Sequence, residues 1–136
     1  VIILDGDQVL YNPDILSPHF ENSGYYCVWT EKHTQEWLLS VKEDVVCSCS
    51  RSGGEKGWQL FSVSRWTAED GRRLKRHLEF EFEEKHNRQI FWDEIALFCY
   101  PDQYRLGIYE MQAGDIVEID SFEELAVIDT HYKLEI

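Results

Sequence analysis

Two carboxylates with a single glycine between them, Asp5-Gly6-Asp7, stand directly after the apolar run Val1-Ile2-Ile3-Leu4. Such a run reads as a strand buried on both faces, as in a parallel sheet. In α/β sheets the ligand crevice lies beyond the carboxyl ends of the strands, which is where both aspartates fall. Gly6 has no side chain and lets the backbone approach a ligand closely. Paired carboxylates beside a phosphate are what a hard divalent cation requires; the plainer reading is a turn in which Asp5 caps backbone amides. A third carboxylate, Asp120, ends a short strand and precedes a capped helix. It is a candidate to meet the first two across the crevice, and equally a helix cap shared with Ser121. Tryptophans beside charged residues offer a different chemistry: Glu36-Trp37, Arg65-Trp66 and Trp92-Asp93. Aromatic faces near carboxylates suit a cation, above all a quaternary ammonium with no N–H to donate. Against that, five Trp in 136 residues also serve to fill a core. The five His show no metal spacing, and neither a glycine-rich phosphate loop with its lysine nor a nucleophile elbow is visible.

The elements that must position these residues belong to one domain. A chain of 136 residues supports one modest core, and 43% hydrophobic with 29% charged residues predicts that it folds. The net charge of −13 argues against nucleic-acid binding through phosphates and against docking on an anionic membrane. No apolar run reaches the roughly 18 residues of a bilayer span, and no secretory leader is visible. Cys27, Cys47, Cys49 and Cys99 lack the spacing of a closed zinc site. Read as reduced thiols, they point to a cytoplasmic protein. A buried strand is an unusual place for a chain to begin, so the expectation is a piece of a longer chain; the alternative is a short protein with a trimmed leader.

Along the chain, Asn12-Pro13 predicts a short helix start. Strands are expected over residues 25–30, 37–41, 45–50 and 58–66, the last two paired through the glycine-rich stretch 51–57. Thr67 and Asp70 read as a capping box, followed by a helix whose apolar stripe is Leu74, Leu78 and Phe82. A short helix within 90–99, a strand over 104–108 and a turn at Ala113-Gly114-Asp115 follow. Val117 and Ile119 then face one way, with Glu118 and Asp120 facing the other. A second capping box, Ser121 to Glu124, opens the last helix. Strands interleaved with helices predict an α/β domain with a mixed sheet.

Short stretches in a fixed order carry a family resemblance: Ile3-Leu4-Asp5-Gly6-Asp7, Ser23 to Val28, Thr34-Gln35-Glu36-Trp37, Phe61 to Trp66, Phe91-Trp92-Asp93, Leu106 to Tyr109, and Val117 to Ser121. Over nearly all its length the chain resembles the C-terminal part of the phosphocholine cytidylyltransferases, in the sugar-phosphate nucleotidyltransferase superfamily. The resemblance implies a Rossmann-like nucleotidyltransferase domain, of which residues 1–136 are the acceptor-binding and metal-aspartate portion. Asp7 and Asp120 match the aspartates that hold Mg²⁺ on the nucleotide phosphates, with Asp5 behind them. Trp37 matches an aromatic wall of the choline pocket; Glu36, Trp66, Trp92 and Asp93 are further pocket candidates. The implied reaction is attack of phosphocholine on CTP, giving CDP-choline and pyrophosphate, with CTP and phosphocholine as partners. The family's N-terminal glycine-rich nucleotide loop and its lysine-bearing motif have no counterpart in the sequence, so the chain alone is expected to be inactive. Alternatives are another acceptor, 2-aminoethylphosphonate or a sugar phosphate, or a non-catalytic ligand-binding module.

Overall fold

Strands occupy Ile2–Leu4 (β1), Gln8–Leu10 (β2), Gly24–Thr30 (β3), Leu38–Lys42 (β4), Val45–Ser50 (β5), Gly57–Arg65 (β6), Gly107–Glu110 (β7) and Ile116–Glu118 (β8). The computed structural model describes residues 1–17, 21–129 and 131. Helices span Ala68–Glu79 (α1) and Phe122–Ile128 (α2), with a 3₁₀ turn at Pro13–Ile15 and π-helical turns at Phe80–Glu84 and Ile95–Cys99. The main sheet runs β5-β4-β6-β3-β7, and the nine-residue β6 is its spine. β3 lies along one side of β6. The other side is shared by β4, which pairs near its start (Leu38 with Gln59), and β1, which pairs near its end (Leu4 with Val63). Only β3 and β7 pair in parallel, so the sheet is mixed, as the sequence predicts.

Two details of this topology depart from the sequence reading. Among the described strands β1 pairs with β6 alone, antiparallel, and it is not buried: Ile2 is 37% and Leu4 48% exposed. Its apolar run reflects one packed side chain, Ile3, and an edge that no described element covers. Second, β5 and β6 are not partners. β4 lies between them, so residues 51–56 cross over β4 instead of forming a hairpin.

Alternation along β3 sends Tyr25 and Cys27 to one face of the sheet and Tyr26 to the other. The first face packs on Leu74 of α1 and on Ile95, Ala96 and Leu97; the second packs on Met111 and Ile116. Trp66 is fully buried, donates its indole N–H to Ser64 Oγ at 2.8 Å and meets Tyr25 and Tyr104 edge-on. It is a core residue, packed in one cluster with Leu74 of α1, and offers no exposed ring face to a ligand. All four cysteines are free thiols. No helix among the described residues is long and apolar enough to cross a membrane.

The helix starts follow the sequence closely. Asn12 accepts from the Asp14 amide, Thr67 from the Asp70 amide and Ser121 from the Glu124 amide. Asp70 does not complete the box. Its carboxylate takes Ser23 Oγ at 2.6 Å, and Ser23 Oγ in turn accepts the Thr67 N–H at 2.9 Å. Aspartate is a methylene shorter than the usual glutamate, and serine bridges the gap. Beyond Glu79 the apolar stripe is interrupted, because the π-helical turn rotates Glu81 inward to 2% exposure. There it accepts from Asn87 Nδ2, Tyr100 OH and Lys85 Nζ, which hold its carboxyl below the usual range against the effect of burial.

Close strand packing gives a paired test. A Cβ at Gly24 would lie 2.5 Å from the Gly107 carbonyl oxygen on β7, whereas one at Gly71 in α1 meets nothing within 4 Å. Gly24→Ala is expected to cost about 2 kcal/mol, through separation of β3 and β7. Gly71→Ala is expected to add up to about 1 kcal/mol of helix propensity. Urea melts of the two variants measure both.

Candidate active site

β2 and β8 form a separate antiparallel ribbon, with Gln8 opposite Glu118 and Val9 opposite Val117. The pairing runs on past the strand, since Ile119 donates its N–H to the Asp7 carbonyl at 2.7 Å. This backbone zip brings Asp7 beside the two acids that alternation places on one face, Glu118 and Asp120. One carboxylate oxygen from each of the three lies within 4.8 Å of the others. Asp120 is not the cap of α2: Ser121 and Glu124 do that work, Glu124 Oε2 taking the Asp120 N–H at 2.8 Å. The Asp120 carboxylate is thereby left for the cluster. Asp5 sits in a tight turn about Gly6, its carbonyl accepting the Gln8 N–H at 3.3 Å. Its carboxylate accepts from the Trp92 indole at 3.4 Å and, among the described residues, caps no backbone amide.

A pocket of about 270 Å³ adjoins the cluster, lined by Asp5, Glu36, Trp37, Phe61, Phe91, Asp93 and Glu118, with Leu60 and Ser62. Glu118 belongs to both features. A larger cavity of about 650 Å³, between Glu21, Glu43, Asp44, Trp58 and Tyr109, shares no residue with the cluster or the pocket. Of the residues expected to line a pocket, Glu36, Trp37 and Asp93 come together; Asp5, expected behind the metal aspartates, joins them in the lining. Trp92 does not line it; its ring stacks on Tyr25 at 6.5 Å and its indole anchors Asp5. Glu36 and Trp37 both reach the pocket, which regular strand alternation would forbid, because they precede β4 in a turn where Thr34 Oγ1 accepts the Glu36 N–H. Phe61, Phe91 and Glu118 were not singled out from sequence. Glu118 had a signal, sharing the face of Asp120, but Phe91 is reached only through the tertiary fold.

Electrostatics mark the same residues. Burial, reinforced by Asp120, Asp7 and Glu36, pushes the Glu118 carboxyl up to about 7. Burial raises Asp93 to about 6, with Asp5 and Glu94 adding to the rise and a hydrogen bond from Tyr25 OH at 2.9 Å opposing it. Carboxylates crowded to this degree fit a divalent cation. Three hard oxygen donors converge, and their mutual repulsion, visible in Glu118, is what a Mg²⁺ ion would relieve.

No protein-family profile matches the chain. It is 27% identical over 130 residues to a 2-aminoethylphosphonate cytidylyltransferase of Lancefieldella rimae, covering 96% of this chain and 52% of that protein. It is 22% identical over 135 residues to a choline-phosphate cytidylyltransferase of Streptococcus pneumoniae, covering 98% of this chain and 57% of that protein. The chain thus spans little more than half the length of these relatives. In structure it matches a CTP:phosphocholine cytidylyltransferase from Streptococcus pneumoniae over 97% of its length, with a TM-score of 0.79 at 20% identity, covering 57% of that protein. The fold is that of a nucleotidyltransferase. An inositol-1-phosphate CTP transferase from T. maritima shares this nucleotidyltransferase fold more distantly, with a TM-score of 0.57 at 12% identity over 96% of the chain and 52% of that protein. The chain is a low-identity relative of the cytidylyltransferases, and its match is partial.

The raised Asp93 carboxyl gives a pH test. Folded, the group holds its proton up to about pH 6, against an ordinary value near 4. Its contribution to stability is therefore fully present below about pH 4 and lost as pH rises through about 6. Asp93→Asn keeps an acceptor for Tyr25 and removes the titration. The variant is expected to match the parent at pH 4 and to exceed it at pH 7 by at most about 3 kcal/mol. Denaturant midpoints at the two pH values measure the difference.

Proposed function

We propose that residues 1–136 are the acceptor-binding and metal-aspartate part of a cytidylyltransferase, which transfers the cytidylyl group of CTP to phosphocholine and releases CDP-choline and pyrophosphate. The observation that carries this reading is Glu118, shared by the acid cluster and the pocket. A zwitterionic acceptor fits that arrangement, its phosphate directed to the cluster and its ammonium to Trp37, Phe91 and the surrounding carboxylates. An acceptor phosphate oxygen forms the new bond to the α-phosphorus of CTP as the bond to pyrophosphate breaks. Asp7, Asp120 and Glu118 would hold Mg²⁺, which when bound neutralises phosphate charge. The residues themselves supply alignment: Trp37 and Phe91 offer ring faces, while Asp93 and Glu36 offer counter-charge.

The acid-rich chain provides little to hold a triphosphate, so the nucleotide contacts are assigned to a further part of the same domain. An apolar groove of about 500 Å³ between β1 and α1, lined by Val1, Ile3, Trp66, Leu74 and Leu78, is the surface on which that part would pack. A second reading of the acceptor has its own support. Four carboxylates reach the pocket while Trp66 and Trp92 do not, and this favours an ammonium with N–H donors, such as 2-aminoethylphosphonate.

Pyrophosphate release by the complete protein, assayed with CTP and each acceptor, tests these readings. Asp7→Asn is expected to lower kcat at least about 100-fold. Trp37→Ala is expected to raise the KM for phosphocholine roughly 5–30-fold while sparing that for CTP. Asp93→Asn is expected to raise the KM for 2-aminoethylphosphonate more than that for phosphocholine. The 136-residue chain alone is expected to release no pyrophosphate. Release from the chain alone that Asp7→Ala abolishes would overturn the division of labour; acceptor binding without turnover in the complete protein would make it a non-catalytic ligand-binding module.

A further inference from the structure

The two aromatic walls of the pocket come from distant parts of the chain. Glu36 and Trp37 lie just before β4, while Phe91 and Asp93 lie just before the π-helical turn Ile95–Cys99. We propose that the turn Arg51–Gly54 is a brace that fixes these walls against each other, with Arg51 and Glu94 as its positioning residues. The proposal rests on the reading of this pocket as the acceptor site, and it adds a pair of residues that neither line the pocket nor approach the acid cluster.

One end of the brace is backbone. Where residues 51–56 cross over β4, Gly54 and Thr34 exchange hydrogen bonds, Thr34 N–H to Gly54 O at 2.9 Å and Gly54 N–H to Thr34 O at 3.0 Å. Gly53 has φ +78, and a Cβ there would lie 1.9 Å from Thr34 O, so the turn rests directly on the Thr34 backbone. Thr34 in turn sets the wall, its Oγ1 accepting the Glu36 N–H at 3.1 Å.

The other end is a side chain. Arg51 Nη1 lies 2.9 Å from Glu94 Oε1, and its guanidinium sits 3.8 Å over the Phe98 ring. The Glu94 side chain is only 8% exposed, and its second oxygen accepts the Phe91 N–H at 3.0 Å. Phe98 meets Trp37 edge-on at 5.6 Å, and Phe91 meets Trp37 at 6.5 Å. Arg51 therefore reaches Phe91 through Glu94, and Trp37 through Phe98. Arg51 is itself half exposed, so solvent screens its side of the ion pair. What it controls is local: without it a nearly buried carboxylate keeps one donor, and both rings lose a support.

The test is made in the complete protein with Arg51→Ala, Arg51→Lys and Glu94→Gln, by amide exchange at Phe91, the NMR signal of the Trp37 indole, and kinetics. Arg51→Ala is expected to speed Phe91 exchange about 10-fold while β3 amides hold their protection. It is expected to shift the Trp37 indole and to raise the acceptor KM about 10-fold, with kcat and the KM for CTP within about twofold. Arg51→Lys keeps the charge without the planar stack, and is expected to restore Phe91 protection but not the Trp37 signal. If Arg51→Ala does not fold, Glu94→Gln carries the same expectations at Phe91. Unchanged Phe91 exchange overturns the brace, whatever the pocket binds. Faster exchange with an unmoved acceptor KM overturns its positioning role. Faster exchange and a shifted Trp37 signal in a protein that turns over no acceptor uphold the brace and remove the acceptor reading.

Discussion

Asp7, Glu118 and Asp120 repel one another, and the backbone pairing of β2 with β8 is what keeps them together. Each pair of unit charges at this spacing opposes the arrangement by about 1 kcal/mol in water-like surroundings, and by more where water is excluded. The ribbon has three paired positions of ladder to hold against that, so it needs its apolar backing: Leu10 and Ile116 pack with Tyr26, Val63 and Met111 on the second face of the sheet. The acid cluster is thus mounted on the core through the ribbon. The raised Glu118 carboxyl carries the imprint of that crowding: desolvation lifts it first, and Asp120 and Asp7 add to the rise.

The same economy extends to the pocket. Two of its carboxylates are held by neutral donors, Tyr25 on Asp93 and the Trp92 indole on Asp5, and among the described residues no arginine or lysine pairs with them. A cation entering the pocket therefore meets acids whose charge no described arginine or lysine already matches. The nearby arginine, Arg51, is spent on Glu94 outside the lining. The division separates the acids that line the pocket from the acid that holds the Phe91 amide.

How much of this was legible in the sequence depended on the range of the interaction concerned. Asn12, Thr67 and Ser121 cap their helices as their local spacing predicts, because a cap needs only the next three residues. Asp7 and Asp120 were legible from resemblance to a family, and Glu118 from alternation beside Asp120. Trp66 and Trp92 were not separable from Trp37 by type or neighbours; only the fold decides that one is roofed by α1, one lies on Tyr25 and one opens to the pocket. The exposed β1 and the insertion of β4 between β5 and β6 were hidden for the same reason. An apolar run or a glycine-rich turn states how a segment behaves locally and not which neighbour it finds.

The wall segment is also tied down upstream and downstream. Glu81 binds Asn87 before it and Tyr100 beyond it, and Glu94 grips Phe91 within it. Between Asn87 and Phe91, Ile90 packs on the core while Arg88 and Gln89 are exposed. Loop length between anchored ends costs little, since closure entropy grows only with its logarithm. The junction between Arg88 and Gln89 is accordingly where the sequence can gain residues during divergence without disturbing the wall, and where a reporter peptide can be inserted.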